Sequence, residues 1–93
     1  MPTYIIGVKL VENRTDKEFA EAIKQVAQVR TAHQGRLLAS YVTFGRYDMI
    51  WISEYPDERA AFDAMNTIGA QRMFEYEISE AITLEEFLLA KDT

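Results

Sequence analysis

His33, Asp48 and the aromatic pair Tyr41 and Trp51 are the side chains of this sequence best suited to bind or transform a small molecule. His33 is the sole histidine. An imidazole titrates near neutrality, so it could serve as a general base. No carboxylate stands at a spacing that identifies it as a partner, and the simpler role is a residue near a helix end that favours the negative end of the dipole. Asp48 follows a hairpin turn and heads an apolar strand. Its carboxylate could hold a ligand amine at the rim of a buried region, or accept the turn amides of Gly45 and Arg46, which is the commoner work for such a residue. Tyr41 and Trp51 would supply stacking surfaces in the same hairpin, although aromatic side chains more often fill cores and interfaces. Lys9, Glu75 and Glu77 fall mid-strand near the two ends of the chain. A cross-strand ion pair is the plain reading; enclosed among aromatics they would make a polar site.

Other chemistries find little support. Ser40, Ser53 and Ser79 lie in predicted strands without a Gly-x-Ser-x-Gly elbow. One histidine and no cysteine leave only scattered carboxylates for a metal, and exclude disulfides and thiolate chemistry. No glycine-rich loop is present to cradle phosphates, so no cofactor is expected. The formal charge of -5 disfavours nucleic acid or an anionic membrane as partner, since both call for a basic surface. No apolar run approaches the roughly 20 residues of a membrane span. Met1-Pro2-Thr3-Tyr4 begins a strand rather than a basic and then apolar leader, and a cytoplasmic address is expected.

The elements that position these residues can be read in order. Thr3 to Val11 is a strand rich in β-branched and aromatic residues, turned by Asn13-Arg14. Thr15-Asp16-Lys17-Glu18 is a capping box, followed at helical spacing by Phe19, Ala22, Ile23, Val26, Ala27 and Val29. Gly35 is a natural left-handed stop for that helix. Leu37 to Phe44 and Tyr47 to Tyr55 are strands joined at Gly45-Arg46, a pair that suits a type II′ hairpin. Pro56-Asp57 opens a second helix, with Ala60, Ala61, Ala64, Met65 and Ile68 inward, ending at Gly69. Gln71 to Ile82 is the last strand. Thr83-Leu84-Glu85-Glu86 is a second capping box and opens a short helix that turns Phe87 and Leu88 inward, before Lys91-Asp92-Thr93 frays.

The order β-α-β-β-α-β fits one α+β domain over residues 1–93: a ferredoxin-like sandwich with a four-stranded antiparallel sheet and a short C-terminal helix. A three-layer α/β unit is the alternative, and four strands with a central hairpin speak against it. Under the two-residue turn, Val42 faces Met49 and Ser40 faces Trp51 on one side, while Tyr41 faces Ile50 and Ala39 faces Ile52 on the other. A three-residue bulged turn would re-pair these residues and exchange the faces, and under either turn neither face is polar. A sheet with one wet face should alternate cleanly, so the face without helices is expected to meet a second copy, a ligand, or both.

Thr43-Phe44-Gly45-Arg46-Tyr47-Asp48, an apolar strand, and Pro56-Asp57 before an alanine-rich helix resemble the GYD domain family. Met1-Pro2-Thr3-Tyr4 and Ala81-Ile82-Thr83-Leu84-Glu85-Glu86-Phe87 resemble the ends of that family, so the likeness spans nearly the whole chain. It implies a ferredoxin-like fold that pairs into a dimeric α/β barrel, with no established general activity. The chain departs around Gln71 to Ser79, where Met73-Phe74-Glu75-Tyr76-Glu77 is more acidic and aromatic than the family pattern. A more local resemblance, over the hairpin and fold, is to the effector-binding domain of AsnC/Lrp-type regulators, and implies amino-acid binding at subunit contacts; no helix-turn-helix segment accompanies it here.

Three functions follow as expectations. The first is a homo-oligomer that binds a small organic ligand in a sensory or accessory role, with Tyr41, Asp48, Trp51 and His33 as candidate ligand-binding residues. The second is a cofactor-independent enzyme, isomerase- or oxygenase-like, and the third a protein-interaction module without ligand. A cavity lined by Tyr41, Trp51 and a polar group would favour the first two.

Overall fold

A computed structural model of the chain describes residues 1–11 and 15–91. Its seven elements are β1 (Thr3–Leu10), α1 (Asp16–Ala32), β2 (Arg36–Val42), β3 (Met49–Glu54), α2 (Glu58–Gly69), β4 (Phe74–Ala81) and α3 (Leu84–Lys91). The strands form one four-stranded antiparallel sheet in the order β2-β3-β1-β4. This is the expected ferredoxin-like sandwich with its C-terminal helix. The turn assigned to Asn13-Arg14 and the fraying at Asp92-Thr93 lie outside the described residues.

Alternation along the central strand builds the core. Tyr4, Ile6 and Val8 of β1 point to one face, where Met49, Trp51, Tyr55 and Phe74 join them. Ala22 and Val26 of α1 and Ala61, Ala64, Met65 and Ile68 of α2 close over this face. The other face presents Ile5, Ala39, Tyr41, Ile50 and Ile52, and no described element buries it: Ile5 remains 41% and Tyr41 58% exposed.

Local chemistry sets the helix ends. The Thr15 hydroxyl accepts the Glu18 amide at 3.1 Å, and the Glu18 carboxylate accepts the Thr15 amide at 3.2 Å. At the far end of α1 the left-handed residue is Gln34 (φ 61°) rather than Gly35, and the Gly35 amide donates back to the Arg30 carbonyl at 2.8 Å. Gly35 is required for a different reason. A Cβ there would stand 2.4 Å from the Tyr55 ring and 2.9 Å from Cγ of Arg30, so only glycine lets those two side chains close up. The Asp57 carboxylate caps α2 by accepting the Ala60 amide at 2.8 Å.

Two local expectations are corrected. The hairpin register matches a two-residue turn, with Val42 opposite Met49, Tyr41 opposite Ile50 and Ser40 opposite Trp51. Yet the turn is not type II′: Gly45 has φ 158°, near the extended limit, where that turn needs about +60°. The cause lies across the sheet. The Asp48 amide donates to the Val8 carbonyl of β1 at 2.8 Å, and the Tyr47 hydroxyl reaches Glu77 of β4, so the loop is drawn open toward the central strand. The second correction concerns α3. Its capping box forms, with the Glu86 amide donating to the Thr83 hydroxyl at 3.0 Å. Phe87 and Leu88 do not turn inward, remaining 45% and 51% exposed, and no residue of α3 is buried. The face that would receive them is already covered by α1 and α2, and α3 projects from the end of edge strand β4. Among the described residues no helix is long and apolar enough to cross a membrane.

Candidate functional site

Phe19, Ile23, Val26, Ala27 and Arg30 recur along one stripe of α1 and look toward the outer half of the sheet. That half ends at edge strand β2, whose Leu37, Ser40 and Val42 do not close against the helix. A groove of about 280 Å³ remains between them, with Met49 and Trp51 of β3 among its lining. Its size falls just short of the roughly 300 to 1,000 Å³ of ligand pockets.

The walls are apolar apart from Ser40 and one cation; Tyr41 borders the groove from β2, where alternation turns it to the open face with Ile50. Arg30 is only 8% exposed, and its guanidinium carbon lies 5.9 Å from the centre of the Trp51 ring. Nε of Arg30 is buried without a hydrogen-bond acceptor. Its polar neighbour is the Tyr55 hydroxyl; among the described residues no carboxylate pairs with it. Burial pushes the guanidinium below its ordinary value, and Tyr55 works in the opposite sense. Burial likewise raises the Tyr55 phenol, with Arg30 drawing it back.

The groove brings together two of the residues singled out from sequence. Tyr41 and Trp51 both line it, and Trp51 also packs edge-on against Phe74 with ring centres 5.8 Å apart. Asp48 stands elsewhere. Its carboxylate accepts the Leu10 amide at 2.8 Å, so it fastens the hairpin to the end of β1 rather than accepting the amides of Gly45 and Arg46. His33 caps α1, with Nδ1 2.9 Å from the Val29 carbonyl, and does not line the groove. Arg30 was missed by the sequence reading, although its signal was present: it continues the Phe19, Ile23, Val26 spacing as a charged residue on an apolar stripe.

A second polar cluster occupies one end of the open face. The Tyr47 hydroxyl donates to Glu77, and Arg46 Nη2 bonds the same carboxylate at 2.8 Å while its guanidinium sits over the Tyr47 ring. The Tyr47 hydrogen bond, helped by Arg46, holds the Glu77 carboxyl below its ordinary value. Lys9 lies opposite Glu75 in register without an ion pair, so the expected link among Lys9, Glu75 and Glu77 is replaced by the Arg46–Glu77 pair. Among the described residues no three His, Cys, Asp or Glu side chains gather as a metal site requires.

The GYD domain family matches residues 4–90 of the chain. No curated protein matches it. Among solved structures, the 30S ribosomal protein S6 of Thermotoga maritima superposes with a TM-score of 0.70 at 11% identity, covering 99% of this chain and 98% of that one. A hypothetical protein from Pyrococcus horikoshii gives 0.62 at 20% identity over 89% of this chain and 92% of its own. The leucine response regulatory protein of Mycobacterium tuberculosis gives 0.64 at 7% identity over 88% of this chain, which spans only 51% of that protein. At such identities the likeness is one of fold.

Proposed function

The chain belongs to the GYD domain family, and we propose that it is a homodimeric protein that binds a small organic molecule in the groove between α1 and the β2–β3 hairpin, in a sensory or accessory role. The observation that carries this is the groove itself: apolar walls that include the aromatic residues Phe19 and Trp51, and one buried cation, the mixture by which small-molecule sites recognise their ligands. Binding is favoured over catalysis because no histidine or carboxylate is among the residues that line it. The sensory role leans on the likeness to a protein named as a leucine response regulator, and so on fold alone.

Pairing is supported by the open face. Ile5, Ala39, Ile50 and Ile52 form an apolar centre, bounded at one end by the Arg36–Glu54 ion pair and at the other by Arg46–Glu77. An apolar centre with a charged rim is the anatomy of a protein interface.

A thermal-shift screen against a metabolite library tests the binding reading, because a ligand that prefers the native state raises its melting temperature. Ala27 is exposed and lines the groove, so Ala27→Phe should fill it without removing core. This variant is expected to fold, pair and lose the shift. Unchanged binding by Ala27→Phe would place the site elsewhere.

A further inference from the structure

We infer that the ligand of the α1–hairpin groove is an organic anion, a carboxylate on an apolar or aromatic body, with Arg30 as its counter-charge. The inference rests on the groove being a binding site, as proposed above. Arginine is rarely buried unless paired, because removing a guanidinium from water is costly without an opposite charge or a full set of acceptors. Here Arg30 is 8% exposed as a residue, and its guanidinium has no carboxylate partner among the described residues. It offers five N–H donors, of which the Nε–H has no acceptor. The Trp51 face and the Tyr55 hydroxyl compensate only in part.

What is missing is an anion, and the groove is where one can enter. A planar guanidinium fork matches either a carboxylate or a phosphate. The remaining lining decides between them. Arg30 is the single cation there, and Phe19, Ile23, Val26, Met49 and Trp51 supply apolar surface for the body of the molecule. One positive charge among apolar walls suits a singly charged carboxylate better than a phosphate dianion.

Two probe series test this, phenylpropanoate and octanoate, each set beside the amide and the alcohol of the same body. Trp51 is the only tryptophan and lies in the groove, so its emission reports binding there. In the wild-type protein the carboxylates should bind at least roughly tenfold more tightly than their neutral counterparts. Arg30→Met should erase that preference, so that acid, amide and alcohol of each body bind alike, and melt no lower than wild type, since it replaces a buried charge without a counter-ion by an apolar chain. Equal affinity for acid, amide and alcohol would overturn the anion assignment while leaving the groove a binding site. Binding by none of the six compounds would remove the binding reading and this inference together. The wild-type comparison decides the matter even if Arg30→Met does not fold.

Discussion

The ring of Tyr47 lies across Gly7 so closely that a Cβ on Gly7 would stand 2.6 Å from Cε1 of the tyrosine. Gly7 is the buried midpoint of β1, and the ring above it belongs to the loop that leads into β3. The tyrosine thereby ties hairpin, central strand and, through Glu77, the far edge strand. Gly7→Ala should displace the ring and destabilise the fold by about 1–3 kcal/mol, the usual cost of overpacking. Urea unfolding of Gly7→Ala, Tyr47→Ala and the double variant gives the coupling. Additive losses would show that the contact carries no energy.

Glu77 predicts an acid-side dependence. Its carboxyl is held below the ordinary value of 4.5 first by the Tyr47 hydrogen bond and then by Arg46. A lowered value in the folded state means a stabilising contribution that is present above about pH 4.5 and lost as pH falls through the shifted value. The group is solvent-exposed, so the effect should be small and weakened by salt. Stability measured from pH 7 down to 3 should fall less steeply for Tyr47→Phe and Glu77→Gln than for wild type. Parallel curves for all three would exclude the contribution.

The fold was largely legible because its signals are local or periodic. The Thr15–Glu18 box, the Asp57 cap and the alternation around Trp51 each name their element within a few residues. Tyr41 and Trp51 stand out in the sequence because an aromatic residue announces itself by type, and both border the groove. The remainder was set by distant partners. Gly45 reads as a II′ residue until Val8 and Glu77, far off in sequence, draw the loop open. Asp48 reads as a turn acceptor until β1 presents the Leu10 amide. Arg30 reads as a surface residue near a helix end, and only the Gly35–Tyr55 approach makes it a buried one.

Asp57 offers a clean test of the local part. Its carboxylate satisfies the Ala60 amide at the start of a helix that contributes Ala61, Ala64, Met65 and Ile68 to the core. Asp57→Ala should cost about 1 kcal/mol, seen as a lower urea midpoint with an unchanged slope. Asp57→Ser should recover most of it, and failure to recover would point to something other than capping.

Self-association is tested at the centre of the open face. Ile5 and Ile52 stand opposite one another there. Wild-type protein should sediment as a dimer at micromolar concentration, through an interface of at least roughly 1,000 Å². Ile5→Asp, which places a charge on a surface already exposed in the single chain, should give a folded monomer. A wild-type monomer, or an Ile5→Asp dimer, would move the interface away from the sheet.

The eight residues of α3 stand off the body with none of their side chains buried. Isolated helices shorter than about 12–15 residues are marginal in water, and one capping box does not change that. A helix of this length is ordered mainly by what packs against it, so a second copy that covered α3 would steady residues 84–91. If a second copy covers α3, its amide exchange should slow as protein concentration rises, and unchanged exchange along α3 would exclude that contact. Helix α3 would then gauge crowding by its own kind, winding as copies gather while the domain it adjoins remains folded.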